Sequence, residues 1–417
     1  MPLSPTLSPR GEGETRGVCI LQNPPSMSDD DVQDTDLPRW KRAVLTMAAP
    51  AERGFDAIKR RLAARFDRDD PVHIMAYRGF GTSRKLAITG RVLQDEPVAT
   101  AQVHDSIWKN LGNTWKRFET DEVPHARLRV SFGDRTSEAV ADEEGYFRCE
   151  VEPAEPLDPA AVWHPVDLEL LDPPHPVRAT GAVLVPPPGA EYGIISDIDD
   201  TVVETGVTRR LAMARTVFLG NARTRLPFAG VAAFYDALHQ GVKAGGTNPV
   251  FFVSGSPWNL YDLLVEFMDL HAIPPGPLLL RDVGISRRKL FQRPSIHHKL
   301  GCIRPILDSY PHLPFVLIGD SGERDPEIYR QIVREYPGRI RAVYIRRITL
   351  PGRDEQVLEI AKAVREEGVP MLLVPDTEAA AVHAAELGLI RWRRLPDVHE
   401  EKLKDEIAPS PVEVALA

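Results

Sequence analysis

Asp197 and Asp199 sit two residues apart, one serine beyond the short apolar run 192–195, and Thr201 follows them. An apolar run that ends in carboxylates reads as a buried strand discharging acidic side chains at its C-terminal edge, where open α/β sheets place their ligands. The pattern Asp-x-Asp-x-Thr fits an aspartyl-phosphate phosphatase, with one Asp to attack phosphorus and the next to handle the proton. Further polar groups recur downstream. Residues 250–253 lead into Ser254-Gly255-Ser256-Pro257, where a hydroxyl beside glycine lets side chain and backbone N–H groups reach phosphate oxygens together. Residues 315–318 lead into Gly319-Asp320-Ser321-Gly322-Glu323-Arg324-Asp325, and Asp320 emerges where a divalent cation could bridge it to Asp197. Between these, His297-His298-Lys299 opens a helix, so that Lys299 supplies a fixed positive charge.

The chemistry needs all of these parts. A carboxylate cannot approach a phosphomonoester dianion until the repulsion is neutralised. Mg²⁺, a hard cation that prefers oxygen ligands, would do part of this, with a lysine and backbone N–H groups doing the rest. Protonating the departing alkoxide requires an acid. A free Asp titrates at about 3.9, so Asp199 would have to be held protonated by its surroundings or act as the leaving group pulls on it.

The elements that position these residues follow from periodicity. Region 191–394 alternates apolar strands (193–196, 249–253, 277–281, 315–318, 341–345 and 370–374) with amphipathic helices such as 231–238, 258–270 and 326–336. That alternation predicts a mostly parallel, Rossmann-like sheet with helices on both faces. About fifty residues separate Asp197 from Ser254, which leaves little room for a cap domain. Region 72–190 reads instead as short alternating strands (72–77, 85–92, 126–132, 166–170 and 182–185, with a turn at 142–147 entering another), a β-sandwich of immunoglobulin-like or transthyretin-like type. No catalytic cluster falls within it, so its expected role is positioning, partner contact or support. Residues 1–45 mix Pro, Ser, Gly and charge and read as disordered, with Met27 a candidate translation start. Residues 46–71 show helical spacing (Phe55, Ile58, Leu62, Phe66) and read as a lead-in, and 395–417 as a polar tail.

Bulk properties narrow the class. Composition that is 43% hydrophobic and 27% charged is ordinary for a globular chain able to bury a core. No apolar run reaches the roughly 18 residues of a membrane span, and the first residues lack a signal-peptide pattern. Cys19, Cys149 and Cys302 are widely separated without metal-ligand spacing, which suits a reduced, cytoplasmic protein. The net charge of −9 argues against general nucleic-acid affinity. Two stretches run against that charge. Arg209, Arg210, Arg215, Arg223 and Arg225 occur with no acid across 206–226, and Arg281, Arg287, Arg288, Lys289, Arg293, Lys299 and Arg304 face only Asp282. Each is either a solvated helix face or an electrostatic funnel toward an anionic head group or membrane surface, which would make the protein peripheral there.

The order Asp-x-Asp-x-Thr, strand-Ser, Lys, then Gly-Asp-x-x-x-x-Asp resembles the haloacid-dehalogenase-like phosphatase superfamily. Segments 248–261 (Asn-Pro-Val-Phe-Phe-Val-Ser-Gly-Ser-Pro-Trp-Asn-Leu-Tyr) and 318–329 (Ile-Gly-Asp-Ser-Gly-Glu-Arg-Asp-Pro-Glu-Ile-Tyr) resemble more narrowly the actin-patch-type phosphatidate phosphatase catalytic domain, a branch with bacterial members and a distant relation to the lipins. The resemblance spans about 191–348, and the upstream region is similar to that preceding the domain in bacterial members. It implies hydrolysis of phosphatidate to diacylglycerol through an aspartyl-phosphate, with Asp197 as nucleophile and Asp199 as general acid and then base. It also implies Mg²⁺ held by the Asp197 carboxylate, the Asp199 backbone carbonyl and the Asp320 carboxylate. Ser254, with Gly255 beside it, and Lys299 would bind the phosphoryl group, and Asp325 would orient Lys299 or metal-bound water. Thr201 is expected to brace the loop, Ser256 and Asp200 to stand behind the contacting groups, Trp258 to pack, and His297 and His298 to lie outside the metal site. The alternatives are a phosphatase for another phosphomonoester (lipid, soluble or protein) and a catalytically silent lipid-binding module, which intact Asp199 and Asp320 disfavour.

Overall fold

The computed structural model describes Val18 and Cys19 and residues 71–94, 121–171, 177–202, 228–243, 245–281, 296–348, 350 and 352–407. The expected disordered segment and helical lead-in (1–71, apart from Val18, Cys19 and residue 71), the basic stretch at 206–226 and most of the one at 281–304 lie outside the described residues. So do residues 203–227 and 244 of the span between Asp197 and Ser254 that bears on a cap.

The first sheet is 10-stranded and mixed: β1 (Val18–Cys19), β2 (Val72–Ala76), β3 (Gly79–Thr82), β4 (Lys85–Gln94), β5 (Asp121–Glu122), β6 (Arg127–Phe132), β7 (Arg135–Val140), β8 (Tyr146–Val151), β9 (Trp163–Leu170) and β10 (Arg178–Leu184). The hydrogen-bonded order is β1-β7-β6-β9-β10-β3-β4-β2, with β5 and β8 also on β4. Most pairs are antiparallel, whereas β10 with β3 and β1 with β7 run parallel. Alternation explains the burial: in β9, His164, Val166, Leu168 and Leu170 face inward and the residues between them do not. One apolar cluster, including Leu86, Ile88, Leu128, Val130, Phe147, Cys149, Val166 and Leu168, is shared by strands from along the sheet.

The second sheet is six-stranded and wholly parallel, in the order β13-β12-β11-β14-β15-β16. Its strands are β11 (Gly193–Ser196), β12 (Val250–Pro257), β13 (Leu278–Arg281), β14 (Phe315–Asp320), β15 (Ile340–Arg346) and β16 (Met371–Val374). The described helices are α1 (Val231–Gln240), α2 (Tyr261–Leu270), α3 (Ile296–Ser309), α4 (Asp325–Glu335), α5 (Arg353–Glu366), α6 (Thr377–Glu386) and α7 (Leu395–Ile407). Successive strand residues feed opposite cores. Ile194, Val250, Phe252, Val316 and Tyr344 join one cluster with α1, α2 and α6, while Ile195, Phe251, Leu317 and Ile345 join another with α3, α4 and α5. A strand buried on both faces must be apolar throughout, which is why these segments read as continuous runs.

Two segments differ from their sequence reading. β12 continues to Pro257 because its pairing with β13 shifts between Val253 and Pro257 and then resumes at Arg281, which carries Ser254, Gly255 and Ser256 within an irregular strand end. Residues 395–407, expected as part of a polar tail, form α7. Val398 is fully buried, Leu395 packs partly buried against the same core, and polar side chains add to the contact: Asp405 and Glu401 accept from the Gly230 and Ala233 amides at the start of α1, and Lys402 pairs with Asp376 at 2.8 Å. Counting apolar residues undervalued this helix, because hydrogen-bonded carboxylates and an ion pair add to its two apolar contacts.

The two sheets meet close to the strand ends that matter. Tyr77 stacks on Trp258, with ring centroids 4.3 Å apart and planes 13° off parallel. The Arg78 N–H donates to Tyr261 Oη at 2.6 Å, and Tyr310 Oη donates to the Gly81 carbonyl at 2.9 Å.

Candidate active site

β11 lies between β12 and β14, and the chain turns from one side of the sheet to the other about it, so its C-terminal edge is a topological switch point. Asp197, Asp199, Ser254, Lys299, Asp320 and Asp325 all converge there and all are buried. The Asp197 N–H donates to the Ile318 carbonyl at 2.9 Å, continuing the β11–β14 ladder one residue beyond the strand. Asp200 has a φ of 52°, a left-handed conformation that Asp tolerates better than most residues, and the Val202 N–H returns to the Ile198 carbonyl at 2.9 Å. This tight turn brings Asp199 back over the β12 edge.

Ser254 Oγ and Ser256 Oγ both donate to Asp199 Oδ2 at 2.8 Å, and the Ser256 N–H donates to Ser254 Oγ at 2.8 Å. Ser256 thus touches Asp199 as closely as Ser254 does. Thr201 Oγ1 is buried beside this turn without a hydrogen-bond partner. His298 Nε2 lies 3.1 Å from the Ser254 carbonyl. Burial pushes the His298 pKa down, so the ring is neutral and donates from Nε2.

Lys299, in the first turn of α3, reaches three carboxylates: Asp325 Oδ1 at 2.5 Å, Asp197 Oδ1 at 3.0 Å and Glu323 Oε2 at 3.1 Å. Arg304, from the same basic stretch, is committed to Glu335 at 2.8 Å. Asp320 Oδ1 accepts from the Gly322 and Glu323 amides at 2.5 and 2.9 Å, and Asp325 Oδ2 accepts from the Asp320 N–H at 3.3 Å. A Cβ on Gly319 would lie 2.3 Å from Asp325 Oδ2, so only glycine lets that carboxylate lie against the strand end.

The electrostatics are dominated by excess acid. Burial pushes the Asp197, Asp320 and Asp325 carboxyls above the ordinary carboxylate value, the neighbouring acids add to the shift, and Lys299 opposes it. Burial alone would lower Lys299. Asp197, Asp325 and Glu323 outweigh that effect and hold it well above 10.5, so the ammonium stays charged. One cation cannot neutralise this many carboxylates, and two oxygens show the deficit: Asp197 Oδ2 and Asp320 Oδ2 are buried with no hydrogen-bond partner. Asp197, Asp320 and Glu323 can each offer a carboxylate oxygen within 4.8 Å of the others. Unpartnered oxygens in an all-oxygen donor set fit a hard divalent cation.

Sequence reading missed Glu323 as a member of this cluster. Its signal was Gly322, which allows a turn tight enough to bring Glu323 back beside Asp320, but an acid in a Gly-rich turn is common enough to pass as solvent-facing. Arg353, which hydrogen-bonds the same turn, left no signal of its own because it lies on a helix after the next strand.

An acidic cluster around a buried lysine at the switch point of a parallel sheet is compatible with phosphoryl-transfer chemistry, in which positive charge must offset phosphate. Residues 192–347 match the family described as the catalytic domain of phosphatidate phosphatase APP1. Phosphatidate phosphatase APP1 of Saccharomyces cerevisiae is 29% identical over 293 residues, covering 68% of this chain and 48% of the yeast protein. An uncharacterized protein of Schizosaccharomyces pombe is 31% identical over 155 residues, covering 37% of this chain and 24% of its own length. The chain therefore spans about half or less of the curated relatives it matches. Among solved structures, the apo β-glucuronidase 3 of Bacteroides uniformis is 11% identical, covers 69% of this chain and 37% of its own, and has a TM-score of 0.21, too low to bear on the fold.

Proposed function

We propose that the protein is a Mg²⁺-dependent phosphatase that hydrolyses phosphatidate to diacylglycerol and phosphate through an aspartyl-phosphate. The observation that carries this reading is the Asp197 carboxylate. One oxygen is held 3.0 Å from Lys299 and the other is buried without a partner, beside the equally unpartnered Asp320 Oδ2. The family match and the yeast relative's name suggest the lipid. On this reading the parallel sheet is haloacid-dehalogenase-like, and the upstream strands form a β-sandwich that supports it. No described helix is long and apolar enough to cross a membrane. The enzyme would be cytoplasmic and meet its lipid at the membrane surface.

In the first half-reaction an Asp197 oxygen bonds to phosphorus, the bond from phosphorus to the glyceryl oxygen breaks, and Asp199 gives its proton to that oxygen. In the second, Asp199 takes a proton from water, whose oxygen attacks the acyl phosphate and releases phosphate with Asp197 restored. Mg²⁺, held by the Asp197 and Asp320 carboxylates and the Asp199 carbonyl, would neutralise phosphoryl charge while bound. Lys299, fixed by Asp325, adds a second positive charge, and Ser254, released from Asp199, turns its hydroxyl to a phosphoryl oxygen.

The test is phosphate release from dioctanoyl phosphatidate, run with Mg²⁺, with EDTA and with Asp197→Asn. Release that needs Mg²⁺ and vanishes in the variant supports the reading. Activity only on a soluble or protein phosphomonoester would replace the substrate while keeping the chemistry. No metal-dependent release from any phosphomonoester overturns it.

A further inference from the structure

The turn from Asp320 to Glu323 carries two of the three carboxylates of the candidate cation site, and its anchors lie on other elements. The Ser321 N–H donates to the Arg346 carbonyl at 2.9 Å, and the Ile348 N–H donates to Ser321 Oγ at 2.8 Å, which ties the turn to the end of β15. Arg353 supplies the remaining anchor from beyond the family-matched segment. Its Nε donates to the Ser321 carbonyl and its Nη2 to the Glu323 carbonyl, both at 2.8 Å. Nη1 and Nη2 also form a fork on the Glu327 carboxylate at 2.8 and 2.9 Å. One planar guanidinium therefore grips the carbonyls on either side of Gly322 while α4 holds its other edge.

The position of Arg353 contradicts its helix. It is the first residue of α5, where the helix dipole favours acids, as Asp354 and Glu355 beside it illustrate. A cation there breaks the local rule, and such breaks mark sites where another demand prevails. That demand is the turn. The Gly322 and Glu323 amides fix Asp320 Oδ1 and leave Oδ2 for the cluster. A Cβ at Gly322 would lie 2.9 Å from Asp320 Oδ1, so the turn has little slack.

We propose that Arg353 is a positioning residue for the cation site, its guanidinium clamping the Ser321 and Glu323 carbonyls so that Asp320 and Glu323 converge with Asp197 before the cation arrives. The proposal rests on reading that cluster as a divalent-cation site. Lysine cannot substitute, since an ammonium keeps the charge and loses the fork.

The experiment is calorimetric titration of Mn²⁺ into substrate-free full-length protein, wild type against Arg353→Lys, with circular dichroism to confirm folding. The Lys variant is expected to bind Mn²⁺ about 10- to 100-fold more weakly, the usual effect of losing an outer-shell partner. A folded Lys variant that binds within about twofold of wild type overturns the clamp and leaves the phosphatase reading intact, whereas wild-type protein that binds no Mn²⁺ overturns both. A second measurement needs no variant. Hydrogen exchange at the Gly322 and Glu323 amides is expected to be slow already in metal-free wild type, because the turn is preset. Fast exchange that slows only on adding Mn²⁺ would overturn the clamp.

Discussion

Asp325 Oδ1 lies 2.5 Å from Lys299 Nζ, with both side chains almost wholly removed from solvent. The pair is only part of the balance, because Asp197 and Glu323 also approach the same ammonium. Lys299→Met should therefore do more than remove the phosphate contact proposed for it. It leaves buried carboxylates facing one another with no cation, and breaking a buried pair in this way costs about 3–5 kcal/mol. Urea denaturation without metal is expected to show a loss of that size, partly restored by Mg²⁺. A variant as stable as wild type in EDTA would mean the carboxylates are neutral at rest.

The raised carboxyls make a signed prediction about pH. In the metal-free fold Asp320 holds its proton to higher pH than in the unfolded chain, where it titrates near 3.8. Between those two values the native state binds more protons, so this group's contribution to stability falls as pH rises. Asp320→Asn removes that contribution. The stability difference, variant minus wild type, should therefore grow in the variant's favour from mildly acidic toward neutral pH in EDTA, and should reverse when Mg²⁺ occupies the site. Thermal unfolding at several pH values, with and without metal, reads both effects. A difference independent of pH would show that Asp320 titrates normally.

Gly319→Ala tests the close approach of Asp325 to the strand end. The added methyl would lie 2.3 Å from Asp325 Oδ2 and 2.7 Å from Asp325 Cβ, so that side chain would have to shift. Overpacking of this kind costs about 1–3 kcal/mol. Because the displaced group fixes Lys299, kcat should fall by more than the stability loss explains, with KM less affected. Steady-state kinetics on the folded variant decide it, and unchanged kcat would show that Asp325 can move without consequence.

How much of this was legible in the sequence depended on whether the signal was local. Strand β11 and its acids were readable because the apolar run 192–195 stands just before them in the sequence. Ser254, Lys299 and Asp320 were readable because each follows or opens a regular element. β3 and β7 were not read as strands. Gly79 and Gly81 give β3 no alternating pattern, and their missing side chains let it lie against the backbone at Ala87 and Lys85. β7 buries only Ala139 and leaves its other apolar residue, Val140, exposed, and it forms because a two-residue turn with Gly133 at φ 59° folds it onto β6. Glu323 and Arg353 belong to the site through contacts between elements, which periodicity does not encode.

The contact between the sheets gives the upstream region a measurable role. Tyr77 is 2% exposed, stacks on Trp258 and lies 4.4 Å from the Tyr261 ring centroid. Trp258 directly follows Pro257, and Ser256 just before it bonds to Asp199. Tyr77→Ala removes a large buried ring, and truncations of this size cost about 3–5 kcal/mol. Trp258 would then lose its stacking partner, and the strand end bearing Ser254 and Ser256 would gain freedom. KM for the phosphomonoester should rise and kcat fall together, whereas Tyr77→Phe, which keeps the ring, should retain both within about twofold. Tryptophan fluorescence should shift to the red in the Ala variant as Trp258 meets water. If Tyr77→Ala loses stability while its kinetics stay unchanged, the upstream sheet supports the fold without setting the geometry of the strand end that bears Ser254 and Ser256.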